Sequence, residues 1–133
     1  MKVETLKQFS VFLPNRPGAL SALAGLLADK GVNILGIASE VRDDSGLVRL
    51  AVGPQADVSH ILSKAGFASV ETTLLSVEVD DRPGALARIT KILADGKVNI
   101  TTVYGTATLG HAARILISVQ DSERGLKLLT DAG

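Results

Sequence analysis

Two motifs recur along this chain at one common spacing. Arg16-Pro17-Gly18-Ala19-Leu20 returns as Arg82-Pro83-Gly84-Ala85-Leu86, and Val32-Asn33-Ile34 returns as Val98-Asn99-Ile100, in both cases 66 residues on. A shared offset leaves no insertion between the motifs in either copy, so the chain is a duplicated unit. Between residues 10–37 and 76–103, thirteen of 28 aligned positions are identical, which argues for common descent rather than common patterning. A unit this short buries little surface by itself, so the 133 residues read as two small domains that share burial.

The hydrophobic periods give each unit the same order of elements. In the first, Phe9 to Leu13 is a β-rich run closed by Pro14-Asn15-Arg16-Pro17-Gly18. Leu20, Leu23 and Leu27 then fall on one helical face, with Pro17 suited to the first helical position and Gly31 to the left-handed stop. Ile34 to Val41 and Leu47 to Val52 read as a hairpin around Asp43-Asp44-Ser45-Gly46. Asp57 caps a second helix that ends at Gly66, and Phe67 to Glu71 is the last strand. The second unit repeats this with strand Leu75 to Val79, helix Pro83 to Ala94, strand Ile100 to Ala107, turn Leu109-Gly110-His111, strand Ala113 to Val119 and helix Ser122 to Asp131. Gly31 aligns with Lys97 while a glycine stands at 96, which predicts that the second copy's helix stops one residue earlier.

The expected fold class is α+β: two ferredoxin-like βαββαβ units in tandem, with antiparallel sheets and helices on one face. The domains are expected at 1–72 and 73–133. Phe67 to Val79 holds no Gly or Pro, so strand should flow from one unit into the next. The second unit lacks a fourth strand of its own, and Val3-Glu4-Thr5 echoes Val70-Glu71-Thr72. Residues 2–6 are therefore expected to complete the sheet of the second domain.

Charge and composition exclude several classes. Lys plus Arg and Asp plus Glu both number 14, so no net field gathers nucleic acid or an anionic membrane. Cysteine is absent, which removes disulfides, thiolate nucleophiles and thiolate metal sites. The first ten residues, Met1 to Ser10, carry no apolar signal-peptide core, no apolar run approaches the length of a membrane span, and the expected location is the cytoplasm. Asp43-Asp44 and Asp80-Asp81 read as turn acids, because neither has the further oxygen donors of a calcium loop. His60 and His111 are expected to face solvent, Tyr104 to pack, and Arg16 and Arg82 to be solvated and paired with nearby acids. No metal or cofactor is expected.

The repeated turn is the feature that carries chemistry. A helix start offers free amides and a partial positive charge, which suits a carboxylate. Gly18 and Gly84 allow close backbone approach, and Asn33 or Asn99, entering the next strand, offers both a donor and an acceptor. Such a set matches a free α-amino acid. Each contact contributes about 0.3–2 kcal/mol, so the expected affinity is micromolar to millimolar. The same residues also make a good surface turn, and by themselves they do not separate the two readings.

The strand–(Asn/Asp)-Arg-Pro-Gly-Ala-Leu–helix–Val-Asn-Ile–strand pattern, present twice and covering essentially the whole chain, resembles the ACT domain. It is most similar to small proteins made of two ACT domains alone. The resemblance implies an amino-acid-binding regulatory module of amino-acid metabolism, paired side by side, with effectors held at interfaces between ACT domains. By comparison with serine-responsive members it implies ligand contacts from Asn15 and Asn33 in the first unit and Asn99 in the second. Asp81 replaces the first Asn there and, when ionised, only accepts hydrogen bonds, so the first site is expected to be the better one. Leu13 and Val79 stand where serine-binding members carry His, which points to a more apolar effector. The full expected binding set is Asn15, Arg16, Pro17, Gly18, Ala19, Leu20, Asn33, Ile34, Asp81, Arg82, Gly84, Ala85, Leu86, Asn99 and Ile100.

Other functions of this topology fare worse. RNA-reading relatives stack bases on strand aromatics, but only Phe9, Phe12, Phe67 and Tyr104 occur here and no basic aromatic motif accompanies them. An acylphosphatase-like hydrolase needs a cradle of consecutive amides, and Pro17 removes one from the middle of the turn. No Ser-His-acid or paired-carboxylate constellation is present, so the chain is not expected to be an enzyme. A ligand-free docking module that oligomerises or regulates an enzyme in trans remains the competing reading. A homodimer and an amino-acid biosynthetic enzyme are the expected partners.

Overall fold

The computed structural model describes residues 1–106 and 112–133. The elements run β1 (Lys2–Pro14), α1 (Ala19–Asp29), β2 (Gly36–Arg42), β3 (Ser45–Val52), α2 (Val58–Lys64), β4 (Ala68–Val79), α3 (Ala85–Asp95), β5 (Ile100–Thr106), β6 (Ala113–Val119) and α4 (Ser122–Ala132). The class is α+β, with strand–helix alternation of two ferredoxin-like units. The turn expected at Leu109-Gly110-His111, the last residue of the strand expected to end at Ala107, and His111 lie outside the described residues. Among the described residues, no helix is long and apolar enough to cross a membrane. All of the stretch without Gly or Pro except its first residue, Phe67, forms one strand, β4 (Ala68–Val79), as its lack of Gly and Pro predicts.

The chain divides into two compact units, one of Lys7–Thr72 and one of Thr73–Gly133 together with Met1–Leu6. In the first, the strand order is β2-β3-β1-β4. β1 and β3 are antiparallel with Phe9 opposite Leu50 and Val11 opposite Val48. Period-two alternation sends Phe9, Val11 and Leu13 to one face, where they bury against Leu23 and Leu27 of α1 and Val58 and Leu62 of α2. Full burial of a side chain of this size contributes about 1.5–3 kcal/mol, so this layer holds both helices to the sheet. β2 and β3 close through Asp43-Asp44, with Arg42 opposite Ser45 and Asp43 at φ +54°. Asp tolerates that left-handed backbone better than a β-branched residue would.

The other unit has the order β1-β4-β6-β5. Leu75 lies opposite Ile117 and Val77 opposite Ile115, and these pack on Ile89 and Leu93 of α3 and Leu129 of α4. Met1 and Val3 pack against the same core, so the opening residues of β1 serve this unit while its later residues serve the other.

The helix ends depart from the sequence reading in two places. Pro17 and Pro83 precede the helices rather than starting them: the N-caps are Gly18 (φ +89°) and Gly84 (φ +94°), and α3 starts at Ala85. The chain leaves each proline through a left-handed residue to enter the helix, which is why glycine follows. The second correction concerns α3, which does not stop early. α1 ends at Asp29 and α3 at Asp95, equivalent positions in the repeat. Both close with paired Schellman bonds, Gly31 N–H to Ala28 O (3.0 Å) and Val32 N–H to Leu27 O (2.9 Å), then Lys97 N–H to Ala94 O (2.9 Å) and Val98 N–H to Leu93 O (2.9 Å). Lys97 therefore takes the left-handed position itself, at φ +60°. At position 96, where the backbone has an ordinary negative φ, a Cβ would meet Leu128 Cδ1 of α4, so a larger residue there requires that side chain to move.

Candidate functional site

The two Arg-Pro-Gly turns are built alike. Arg16 N–H donates to Pro14 O and Arg82 N–H to Asp80 O, both at 3.0 Å. Ala19 N–H reaches Arg16 O and Ala85 N–H reaches Arg82 O, both at 3.3 Å. The first intrahelical bonds run from Ala22 to Gly18 (2.9 Å) and from Arg88 to Gly84 (3.0 Å). Neither helix has a side-chain cap, so the amides of Leu20 and Ser21, and of Leu86 and Ala87, begin their helices without an intrahelical acceptor. A Cβ added at Gly18 or Gly84 meets nothing within 4 Å. The glycines are thus required by their backbone angle, and the space before each helix is open.

Asn15 is committed to holding its turn. Its Nδ2 donates to Asp43 O at 2.9 Å and its backbone N–H to Asp44 O at 3.0 Å, which ties the loop before α1 to the β2–β3 hairpin. Beside it lies a small concavity of about 150 Å³ lined by Asn15, Arg16, Ala19, Leu20, Leu13, Ser39, Glu40 and Val41, among others. Asn33 is elsewhere. It lines a separate concavity of about 390 Å³ with Lys30, Gly31, Val32, Gln55 and Asp57, at the far end of α1. One unit therefore does not bring Asn15 and Asn33 to a single pocket.

At the second turn the concavity is larger, about 590 Å³, and its wall includes Lys2, Glu78, Val79, Asp80, Arg82, Gly84, Ala85, Arg88 and Ile89. Asp81 and Asn99 are exposed and outside it. Arg88 Nη2 donates to Ala132 O at 3.0 Å, which fixes that guanidinium at the end of α4. Ile34 and Ile100 are half-buried and pack on the two cores, so their contribution is to anchor the strands that follow. Tyr104 is half-buried on β5, opposite Leu116. Leu20 and Leu86 are exposed at the helix starts.

Arg16 and Arg82 correct a further expectation. Among the described residues, neither forms an ion pair; the pairs are Arg49–Glu40 (3.4 Å), Lys91–Asp95 (3.2 Å) and Lys127–Asp131 (3.7 Å). Asp80, two residues before Arg82, gives the turn its backbone carbonyl instead. Sequence reasoning also passed over Ser39, Glu40 and Val41 at the first turn and Lys2, Glu78, Asp80 and Arg88 at the second. The signal for the latter was present as differences between the copies: Phe12, Pro14 and Ala22 become Glu78, Asp80 and Arg88.

Two ferredoxin-like units, each with a glycine-capped, open helix start, define a tandem of small α+β modules. The ACT domain family model matches residues 7–67, and the AHAS small subunit-like ACT domain model matches residues 75–131. The chain belongs to the ACT family and carries two ACT-type domains in tandem. Among solved structures it is similar to a protein of Bacteroides thetaiotaomicron, at 25% identity and TM-score 0.87, with 98% of this chain and 90% of that one covered. It is also similar in fold to the ligand-free regulatory subunit of aspartate kinase from Thermus thermophilus, at 16% identity and TM-score 0.70 over 98% and 95% of the two chains. Aspartate kinase of Clostridium acetobutylicum matches at 17% identity and TM-score 0.63, over 98% of this chain and 33% of that one. No curated protein sequence matches.

Proposed function

We propose that this chain is a non-catalytic regulatory protein of amino-acid metabolism that binds a small amino acid at its Arg-Pro-Gly turns. The observation that carries the reading is the twinned, uncapped helix start: left-handed Gly18 and Gly84, orphan amides behind them, and a concavity in front of each. A ligand carboxylate satisfies those amides. The amide oxygen of Asn15 accepts from the ligand ammonium, and Leu13, Leu20 and Val41 give the first site an apolar wall.

Because Asn15 and Asn33 line different concavities, one ligand contacts both only if a second ACT domain supplies one of them. The edge strands favour such pairing. Ile37 on β2 and its repeat Val103 on β5 are large exposed apolar side chains on strands with an open hydrogen-bonding edge, and Leu20, which lines a concavity with Ser39 to Val41 of β2, is exposed too. We therefore propose a homodimer in the cytoplasm, with effectors at interfaces between ACT domains, domains of 1–72 and 73–133, and residues 2–6 lent to the second. An amino-acid biosynthetic enzyme regulated in trans is the proposed target. The same apolar edges favour the second reading, a docking module without ligand.

A thermal-shift screen against the twenty amino acids separates the two. One or a few should raise the melting temperature, and Asn15→Ala should abolish the effect at the first site. No shift from any of them would leave docking alone.

A further inference from the structure

The geometry of the second turn points to a ligand class different from that of the first: we propose that the concavity bounded by Lys2, Glu78, Asp80, Arg82 and Arg88 takes an acidic amino acid, a zwitterion with a second carboxylate. This rests on the amino-acid-binding reading above and names the ligand of one of its two sites.

Across the aligned stretch the turns themselves are nearly identical, yet three of the positions facing this concavity have gone from uncharged to charged: Phe12 to Glu78, Pro14 to Asp80, and Ala22 to Arg88. Lys2, brought in on the opening residues of β1, adds a fourth charge, and Arg82, shared with the first copy as Arg16, a fifth. Drift on a solvated face scatters charges. Here they collect around one hollow of about 590 Å³, roomy enough for an amino acid and some water.

These charges do not neutralise one another. Among the described residues, none of the five belongs to an ion pair, and the one fixed contact, Arg88 to Ala132 O, holds a cation in place without cancelling it. The side chains of the wall therefore present three cations and two carboxylates, and the amide end of α3 adds to the positive side. A neutral amino acid, carrying one charge of each sign, leaves one cation over. An acidic amino acid, with one ammonium and two carboxylates, brings the total to four of each sign. Its ammonium suits Glu78 and Asp80, and its two carboxylates suit the arginines, the lysine and the helix start. At the first turn the corresponding wall is mainly apolar, and its acid, Glu40, is already paired with Arg49.

The test is calorimetric titration of the full chain with aspartate and glutamate beside asparagine and glutamine, which differ only in the extra charge. The acids should bind, their amide twins at least about tenfold more weakly, and the difference should shrink as salt rises from about 0.05 to about 0.5 M. Arg82→Gln should weaken the acids by about tenfold, while Lys64→Gln, exposed at the end of α2, leaves them unchanged. Should Arg82→Gln unfold the chain, the double variant Glu78→Gln, Asp80→Asn offers an independent check through weaker binding of the ammonium. Equal binding of acids and amides overturns the proposal. Binding of apolar amino acids alone, sensitive to Asn15→Ala, overturns it too but leaves the sensor reading standing. Silence from these four overturns the proposal, and silence from all twenty in the thermal-shift screen overturns the sensor reading with it.

Discussion

Single positions in this chain carry backbone roles that the repeat makes easy to test. Gly18 and Gly84 sit at φ near +90° with open space around them, so Gly18→Ala should destabilise by about 1 kcal/mol through backbone strain alone, without a clash. Chemical denaturation checks this, and a larger loss would mean that the glycine packs against something. At the other end of the helix the copies have traded places. Lys97→Gly should stabilise by up to about 1 kcal/mol by relieving the left-handed residue, whereas Gly96→Ala should destabilise because its Cβ meets Leu128. The opposite signs at adjacent positions are the check. That exchange was visible in the sequence but its meaning was not. The position of a glycine says that a left-handed turn or a close approach is needed nearby, and only the packing of α4 on α3 decides which. The pairing of Asn15 with the hairpin was equally invisible, since its partner is a backbone carbonyl 28 residues away.

Elements follow the sequence more closely, because hydrophobic period is a property of each segment. The alternation Phe9-Val11-Leu13 and, of the helical face Leu20-Leu23-Leu27, the residues Leu23 and Leu27 are the core observed, whereas Leu20 is exposed at the helix start. The stop of α1 at Gly31 was readable for the same local reason. What local pattern did not resolve was the start of each helix, where proline at the first position and glycine at the cap are both acceptable chemistry and differ by two residues. Asp57 and Asp121 cap α2 and α4, accepting from His60 N–H (3.4 Å) and Arg124 N–H (3.1 Å). Asp121→Ala should cost about 1 kcal/mol, and more than Asp57→Ala, whose bond is the longer. Arg124 adds a second tie, its Nε donating to Gly96 O at 3.0 Å across the α3–α4 contact. Amide exchange will show whether loss of the Asp121 cap loosens α4 alone or α3 with it; the Arg124 bond predicts both.

For the whole molecule, the duplication explains why the ends of the chain matter. The first residues of β1 pack with the second ACT domain's core, so removing residues 2–5 should bare an edge of β4. Amide protection should then fall across residues 73–133 and hold across residues 7–72; uniform loss would contradict the division into units. The candidate sites were only half legible. The motif gave the turn, but the charged wall of the second concavity comes from residues 2, 78, 80 and 88, which no contiguous motif joins. The proposed function puts an amino-acid carboxylate on the open helix starts. Backbone NMR during titration with the amino acid that gives the strongest thermal shift is the decisive measurement. The largest shifts should fall at the amides of Gly18 to Ser21, Gly84 to Ala87, or both. Saturable binding that leaves those amides untouched would contradict it.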